Sequence, residues 1–536
     1  MVALATNPKD TTALVSAAEI LLHANEFKDA ISYASRAVEA GGGDRAQKRL
    51  AQALSVFVNR ESSESSEKTA LETEGILTGK HRAQVLRMIA VSQGKRGAKS
   101  AALETWLKLV VLQPRPEKKL DARSFVWRGR EDRWIQAELA ELFSSAPEAE
   151  RKTMSRRLMK FRETAAPAVY VRFFGFHSSA NQARLALAES LRESESWLSS
   201  EQMLMSVAAS GSPEEQVEAT RQLAELLRAR NQVGPAHQYA KRLAGPLAGF
   251  KAADGQTGKQ LAESLMEKIA HPLNDESAWP VGPLKVEEFK LSTQQRTRVV
   301  TGYAMNPELR RDDVQAGPVL LDSRLSTLFA RDAMGREKWK VTVQEPVTSS
   351  IRYLRYAVRY QQSRYSRQGQ LTVAWIGDQV CAIDGFTKST KPLWTQQCFL
   401  ANPLDPQGVQ FRPRFPKPGA MRHQDAQKLP LVVTPGYVSY QRGRKLMAVD
   451  PLDGSPLWWR DDLPAGCDLF GDDEYLFVRK PGEATAHVLR ALDGKKLGTR
   501  EVPQIDDRVL ASGRRCVSAK TTGDKLDVIA KDLWTG

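Results

Sequence analysis

Four aspartates recur in one short phrase along the second half of this chain, and their type and spacing invite a chemical reading. Asp332, Asp384, Asp450 and Asp532 each stand two residues after an alanine (Ala330, Ala382, Ala448 and Ala530) and just before a short turn. A carboxylate so placed can ligate a cation, or it can accept from the N–H groups of the turn that follows, as in an Asx-turn. The aspartate returns in copy after copy, so the reading is structural; a metal or reactive site would belong to one copy.

Other reactive types are sparse. The seven histidines (His23, His81, His177, His237, His271, His423 and His487) are scattered and form no HExxH pair. The four cysteines, Cys381, Cys398, Cys467 and Cys516, include no adjacent pair and no CxxC, so they do not form a zinc-site spacing. They read as small buried hydrophobes, with a disulfide between two of them left open. There is no GxSxG, no Walker loop and no GxGxxG after a strand, so hydrolase, kinase and nucleotide-binding chemistries find no support. The segment RYLRYAVRYQQSRYSR interleaves Arg352, Arg355, Arg359 and Arg364 with tyrosines. Such a stretch can neutralise phosphates and stack bases; its plainer reading is an exposed strand and loop.

The elements that position these residues follow from composition and pattern. A chain of 536 residues exceeds one core, so at least two domains are expected. The net charge is +15, with 39 basic and 32 acidic residues in 1–270 and 39 and 31 in the remainder. Residues 351–450 hold 15 basic and 5 acidic residues, the one electrostatic hint of an anionic partner. The opening MVALATNPKD has neither the basic start nor the apolar core of a secretory signal.

From Thr11 to Ala270 apolar residues recur at three- and four-residue spacing, the helical period. In 11–43, Leu14, Ala17, Ala18 and Leu21 line a first helix and Ala30, Ala34 and Ala37 a second, with Phe27 at the turn. Leu86, Ala90, Ala102, Trp106 and Pro114 repeat the scheme, as do Leu223, Ala224, Leu227, Ala236, Ala240 and Leu243, and 181–205 adds a further pair. The small and large apolar positions resemble tetratricopeptide repeats, whose period is about 34 residues, without their usual Trp, Gly and Tyr. The Ser/Glu-rich stretch 60–75 reads as a solvated linker or exposed helix.

At 271–284, Pro272, Pro280 and Pro283 end the helical texture, and period-two alternation follows. The phrase then recurs as LFARDAMGREKWKV, VCAIDGFTKSTKPLWTQ, LMAVDPLDGSPLWWR, VLRALDGKKLGTR and VIAKDLWTG. Its closing aromatics are Trp339, Trp394 and Trp458, and its turn glycines Gly454, Gly494 and Gly536 lie 40 and 42 residues apart. Four strands in about 40 residues is the period of a propeller blade.

The A-x-D-x-x-x-G-x-x-x-W phrase resembles the repeat of the pyrroloquinoline-quinone (PQQ)-like β-propellers over roughly 310–536. That family includes quinoprotein dehydrogenases and a non-enzymatic lipoprotein of the outer-membrane barrel-assembly machinery. Its dehydrogenases carry a vicinal Cys-Cys pair and a Glu/Asn/Asp calcium set; this chain has no Cys-Cys. About five copies are visible, fewer than the seven or eight blades that the resemblance implies, so the sequence is expected to be a piece of a longer protein.

The expected architecture is thus multidomain α plus all-β. It comprises an α-solenoid of TPR-like pairs over 1–270, a Pro-rich linker at 271–284, and a partial propeller of four-stranded blades over 285–536. The leading function is a non-catalytic scaffold for protein partners, with no cofactor and no membrane span; the resemblance implies a cell-envelope or periplasmic setting. Asp332, Trp339, Asp384, Trp394, Asp450, Gly454, Trp458, Gly494 and Asp532 are expected to be structural, and Arg352, Arg355, Arg359 and Arg364 an anion or partner patch. The alternatives are a quinoprotein dehydrogenase whose cofactor site lies elsewhere, and polyanion or nucleic-acid binding through 352–445.

Overall fold

The computed structural model describes residues 4, 6–113, 118–269, 298–299, 301–304, 319–321, 327–331, 337–342, 364–376, 379–387, 389–397, 431–464, 466–480, 483–503, 509–522 and 525–536. The fold is mixed α and β. Fourteen α-helices lie among the described residues: α1 Thr11–His23, α2 Phe27–Glu39, α3 Gly43–Glu61, α4 Glu64–Thr73, α5 Gly79–Lys95, α6 Lys99–Leu112, α7 Glu131–Ser144, α8 Glu148–Thr164, α9 Pro167–Phe174, α10 Ala180–Glu193, α11 Trp197–Ser210, α12 Pro213–Ala229, α13 Val233–Ala244 and α14 Gly258–Lys268. The chain condenses into two compact units, 1–117 with 134–183, and 118–133 with 184–536. The expected linker at 271–284 lies outside the described residues.

In the first unit consecutive helices pack through small residues. Ala18, Ala30 and Ala34 are fully buried beside Leu50 and Leu54, which allows close helix approach. A second cluster is aromatic, with Trp106, Tyr170, Phe173 and Phe174 buried and Trp106 edge-on to Trp134 at 5.7 Å. The stretch 60–75, expected to be a solvated linker or an exposed helix, holds the helix α4, which begins with a Ser63/Ser66 capping box and buries Ser66, Glu67 and Ala70 while much of the stretch stays exposed. Glu67 is admitted because it accepts from Ser92 Oγ at 2.8 Å and Arg96 Nη2 at 2.6 Å.

The second unit joins helices to sheets. A hairpin, β1 Leu120–Ser124 and β2 Trp127–Arg130, interrupts the helical sequence, a correction to the all-helical reading of 1–270. Later strands are β3 Arg298–Val299, β4 Thr301–Ala304, β5 Val319–Leu321, β6 Thr327–Arg331, β7 Glu337–Thr342, β8 Arg364–Gln368, β9 Leu371–Ile376, β10 Gln379–Asp384, β11 Trp394–Gln397, β12 Leu431–Val433, β13 Val438–Arg442, β14 Lys445–Val449, β15 Pro456–Arg460, β16 Asp468–Gly471, β17 Tyr475–Arg479, β18 Thr485–Arg490, β19 Lys496–Glu501, β20 Val509–Ser512, β21 Arg515–Thr522 and β22 Lys525–Asp532. They form five sheets, ordered β3-β5-β6-β7, β11-β10-β9-β8-β4, β1-β2-β15-β14-β13-β12, β16-β17-β18-β19 and β20-β21-β22. Neighbours are antiparallel except β4 and β8. The described strands make separate sheets and do not close a ring. One core runs from Leu204, Val207, Leu223 and Leu243 on the helices to Leu371, Val373, Val380 and Tyr440 on the sheets, so these helices share their buried surface with strands.

Candidate interaction site: sheet junctions and the inserted hairpin

The repeated phrase has one register. Ala330 pairs with Trp339, Ala382 with Trp394 and Ala448 with Trp458, and in the fourth copy Val488 pairs with Gly498. Asp384 Oδ1 accepts the N–H of Phe386 at 2.8 Å, Asp450 Oδ1 that of Leu452 at 2.9 Å, and Asp532 Oδ1 those of Trp534 and Thr535 at 2.8 and 3.1 Å. These are Asx-turns, and they commit the carboxylates to backbone. Asp332 lies outside the described residues. In the fourth copy Arg490 takes the aspartate position and pairs with Asp493 at 2.7 Å.

Each tryptophan reaches the next sheet. Trp394 Nε1 donates to the carbonyl of Pro451 at 2.9 Å, and Trp458 Nε1 to that of Ala491 at 2.7 Å. Gly454 and Gly494 sit beneath these indoles at φ +69° and +79°; a Cβ would lie 2.7 Å from Trp394 and 2.6 Å from Trp458. Glycine is required twice over, for the left-handed backbone and for the ring. Gln396 donates to the carbonyl of Gly454, and Arg460 Nη1 to that of Gly494 at 2.9 Å. Trp339 is buried in a cluster with Ala374, Ile376, Cys381 and Ile383. Side chains that could have bound a ligand therefore hold sheet to sheet.

The hairpin is added to the outer edge of this system. Trp127, Arg128 and Gly129 on β2 pair with Arg460, Trp459 and Trp458 on β15. Trp127 Nε1 donates to the carbonyl of Asp493 at 2.7 Å, and the Arg460 guanidinium lies 5.7 Å from the centre of its ring. Arg128 and Lys445 flank the ring of Trp459 at 5.5 and 3.9 Å. Lys118 pairs with Asp453, and Phe125 at the hairpin tip is fully exposed. Where the hairpin re-enters helix, Arg130 grips Asp132 with two bonds of 2.8 Å, both side chains buried. Arg133 Nη2 then donates to the carbonyl of Gly436 at 3.3 Å. Sequence reasoning missed this segment; its signal is the loss of helical spacing across LDARSFVWRGR.

A second contact within this unit is made by α11. Glu201 is buried and accepts the N–H of Gln370 at 2.8 Å, in the turn between β8 and β9. Gly369 there has φ +59°, and a Cβ would come within 2.6 Å of the carboxyl. Gln202 Nε2 donates to the carbonyl of Gln368 at 3.1 Å, and Arg230 Nη2 to that of Phe386 at 3.2 Å. Burial pushes the Glu201 carboxyl up to about 8, against the pull of the Gln370 N–H, with the charge of Asp384 adding to the rise.

Arg352, Arg355 and Arg359 lie outside the described residues, and Arg364 is placed only as the first residue of β8. Cys381, Cys467 and Cys516 are buried free thiols, so no disulfide joins these three; Cys398 is outside the described residues. A groove of about 400 Å³ runs between α10 and α12, lined by Glu189, Arg192, Glu218, Arg221 and Glu225. Its charges pair internally: Arg221 meets Glu218 at 2.5 Å and Glu225 at 2.7 Å. Among the described residues no group of three His, Cys, Asp or Glu side chains is placed to hold a metal ion, and no helix is long and apolar enough to cross a membrane.

No family model and no curated protein matches this chain. Among solved structures it is similar to BamB from Moraxella catarrhalis, at 14% identity over 44% of this chain and 59% of that one, with a TM-score of 0.26. It is also similar to Hsv2 from Kluyvelomyces marxianus, at 10% identity over 40% of this chain and 56% of that one, with a TM-score of 0.25. The match thus spans less than two thirds of either chain.

Proposed function

We propose that this chain is a non-catalytic scaffold for protein partners, in which TPR-like helix pairs are combined with PQQ-like propeller blades. The observation that carries this reading is the hairpin. An extended segment from a distant part of the chain is seated on the outer edge of the β12–β15 sheet by backbone pairing, an indole hydrogen bond and cation–π contacts. That is strand addition, a general mode of protein–protein recognition. The recurrent Asp and Trp residues support it from the other side, since their polar atoms are spent on neighbouring backbone. A cell-envelope setting belongs to the same proposal, through the PQQ-like resemblance alone.

Photo-crosslinking in the native cell tests the reading. A photoreactive residue is placed in turn at Phe125, Gln222 and Lys496, on the hairpin tip, in the groove and on β19. Discrete protein adducts from at least one position are expected. Absence of any protein adduct, with stoichiometric uptake of PQQ and calcium by the purified chain, would replace the scaffold with a quinoprotein.

A further inference from the structure

The sheet that follows the hairpin-bearing one is built on the same plan with one piece absent. Gly498 of β19 takes the register position of Trp458 of β15: Ala448 pairs with Trp458 and Val488 with Gly498, and a bulge follows each pair. Trp458 covers Gly494 and donates to the carbonyl of Ala491. No indole plays that part for the next turn, Asp532–Gly536, among the described residues. Among the described residues a Cβ at Gly498 would meet nothing nearer than Arg500 Nη1 at 4.0 Å, and it is Arg500, donating from Nε to the carbonyl of Trp534 at 3.4 Å, that borders the place of the missing indole. Its floor is apolar and cationic: Leu533 is buried, Tyr475 stacks on Trp534 at 4.4 Å, and the Arg500 guanidinium lies 4.3 Å from the Trp534 ring.

Among the described residues no strand pairs with the outer edge of β19. Its sheet ends there, whereas the same edge of β15 carries β2. Lys496, Leu497, Thr499 and Arg500 are exposed or half-buried, so the edge is accessible. An unpaired edge presents a row of N–H and C=O groups to any extended chain.

We propose that the outer edge of β19 binds an extended segment of a partner protein, with an aromatic side chain of that segment set opposite Gly498 in the place of the absent tryptophan. The chain's own hairpin supplies the template. On β15 the large residue, Trp458, belongs to the sheet and the small one, Gly129, to the added strand. On β19 the small residue belongs to the sheet, so the added strand must bring the large one. Arg500 would flank the incoming strand as Arg460 flanks Trp127. Backbone pairing supplies affinity, and the aromatic residue sets register and selectivity. The inference rests on the scaffold reading and names one site for it.

The test uses two synthetic peptides with the full chain: residues 118–130, and the same peptide with Gly129→Trp. The substituted peptide is expected to bind at least about tenfold more tightly, because only it can fill the space opposite Gly498. Hydrogen exchange of the wild-type chain with this peptide should show new protection at 496–501. In the Gly498→Trp chain the preference should be lost. The φ of +147° at Gly498 favours glycine, so the exchange map of the wild-type chain stands as an independent measurement. Equal affinity of the two peptides, no binding of either, or protection anywhere but β19 overturns the proposal. Failure here with protein crosslinks from Phe125 or Gln222 removes the β19 site alone; absence of crosslinks everywhere removes the scaffold.

Discussion

The indole of Trp458 donates to the carbonyl of Ala491 at 2.7 Å and lies 2.6 Å from where a Cβ on Gly494 would stand. The tryptophan that closes one sheet is thereby locked onto the turn of the next, and the turn tolerates no side chain beneath it. Gly494→Ala should cost roughly 2–4 kcal/mol, from a left-handed alanine and from overpacking against the ring. Gly443, at φ +61° with nothing within 4 Å of a Cβ, is the control. Gly443→Ala should cost only the backbone part, about 1–2 kcal/mol. Urea unfolding followed by tryptophan fluorescence separates the two; equal losses would mean that the ring contact is not what demands glycine.

Trp127 ties the hairpin to β15 and to the turn carbonyl of Asp493. Trp127→Phe removes the hydrogen bond and should cost about 1 kcal/mol. Trp127→Ala also loses the ring, and should cost roughly 2–3 kcal/mol. Both should raise hydrogen exchange over 120–130 and at 456–460 while leaving α1 to α3 unchanged. Unaltered exchange in the hairpin would show that the backbone pairs alone hold it.

The junctions were legible in the sequence where the signal is local. An Ala-x-Asp phrase with a glycine turn carries its own geometry within about 20 residues, so the Asx-turns follow from reading it, whereas the strand register does not. The hairpin was not legible: Trp127 and Gly129 acquire their meaning from Arg460 and Trp458, more than 300 positions away, and the helical texture on both sides hides a short strand pair. Glu67 and Glu201 were missed because a glutamate in an amphipathic helix reads as solvent-facing. Burial of each depends on a donor from another element, Ser92 and Arg96 for one and Gln370 for the other. Gly498 was not singled out in the sequence: only the strand register, Val488 against Gly498 as Ala448 against Trp458, shows that it stands in a tryptophan's place.

Asp132 should govern the acid response of the hairpin's exit. Burial works to raise its carboxyl, but the bonds and charge of Arg130, with the charge of Arg133 and its backbone N–H, hold it below the usual 3.8. A depressed carboxyl stabilises the fold above its ordinary value, and that contribution is lost as pH falls through the lower folded value. Asp132→Ala should cost roughly 3–5 kcal/mol near neutrality, because it leaves Arg130 buried without its partner. It should also remove the acid-dependent part of exchange over 127–133. Acid sensitivity identical to that of the unsubstituted chain would assign the effect to another group.

Glu201 should act with the opposite sign. Its carboxyl is raised from 4.5 to about 8, chiefly by burial, so the folded chain keeps a proton that the unfolded chain releases. Its stabilising contribution is complete below 4.5, falls as pH rises from there to about 8, and changes no further above that. Asp384, also raised by burial, adds a loss of the same sign. Glu201→Gln keeps an acceptor for the Gln370 N–H without a titrating proton. The urea midpoint of the second unit should therefore decline less between about pH 5 and pH 8 in the variant, with Asp384 leaving a residual slope. The variant should be the more stable chain at the alkaline end, where the glutamate must carry a buried charge against Gly369 and Gln370. Parallel profiles for the two chains would show that water reaches the carboxylate and that the helix does not hold it in an apolar seat.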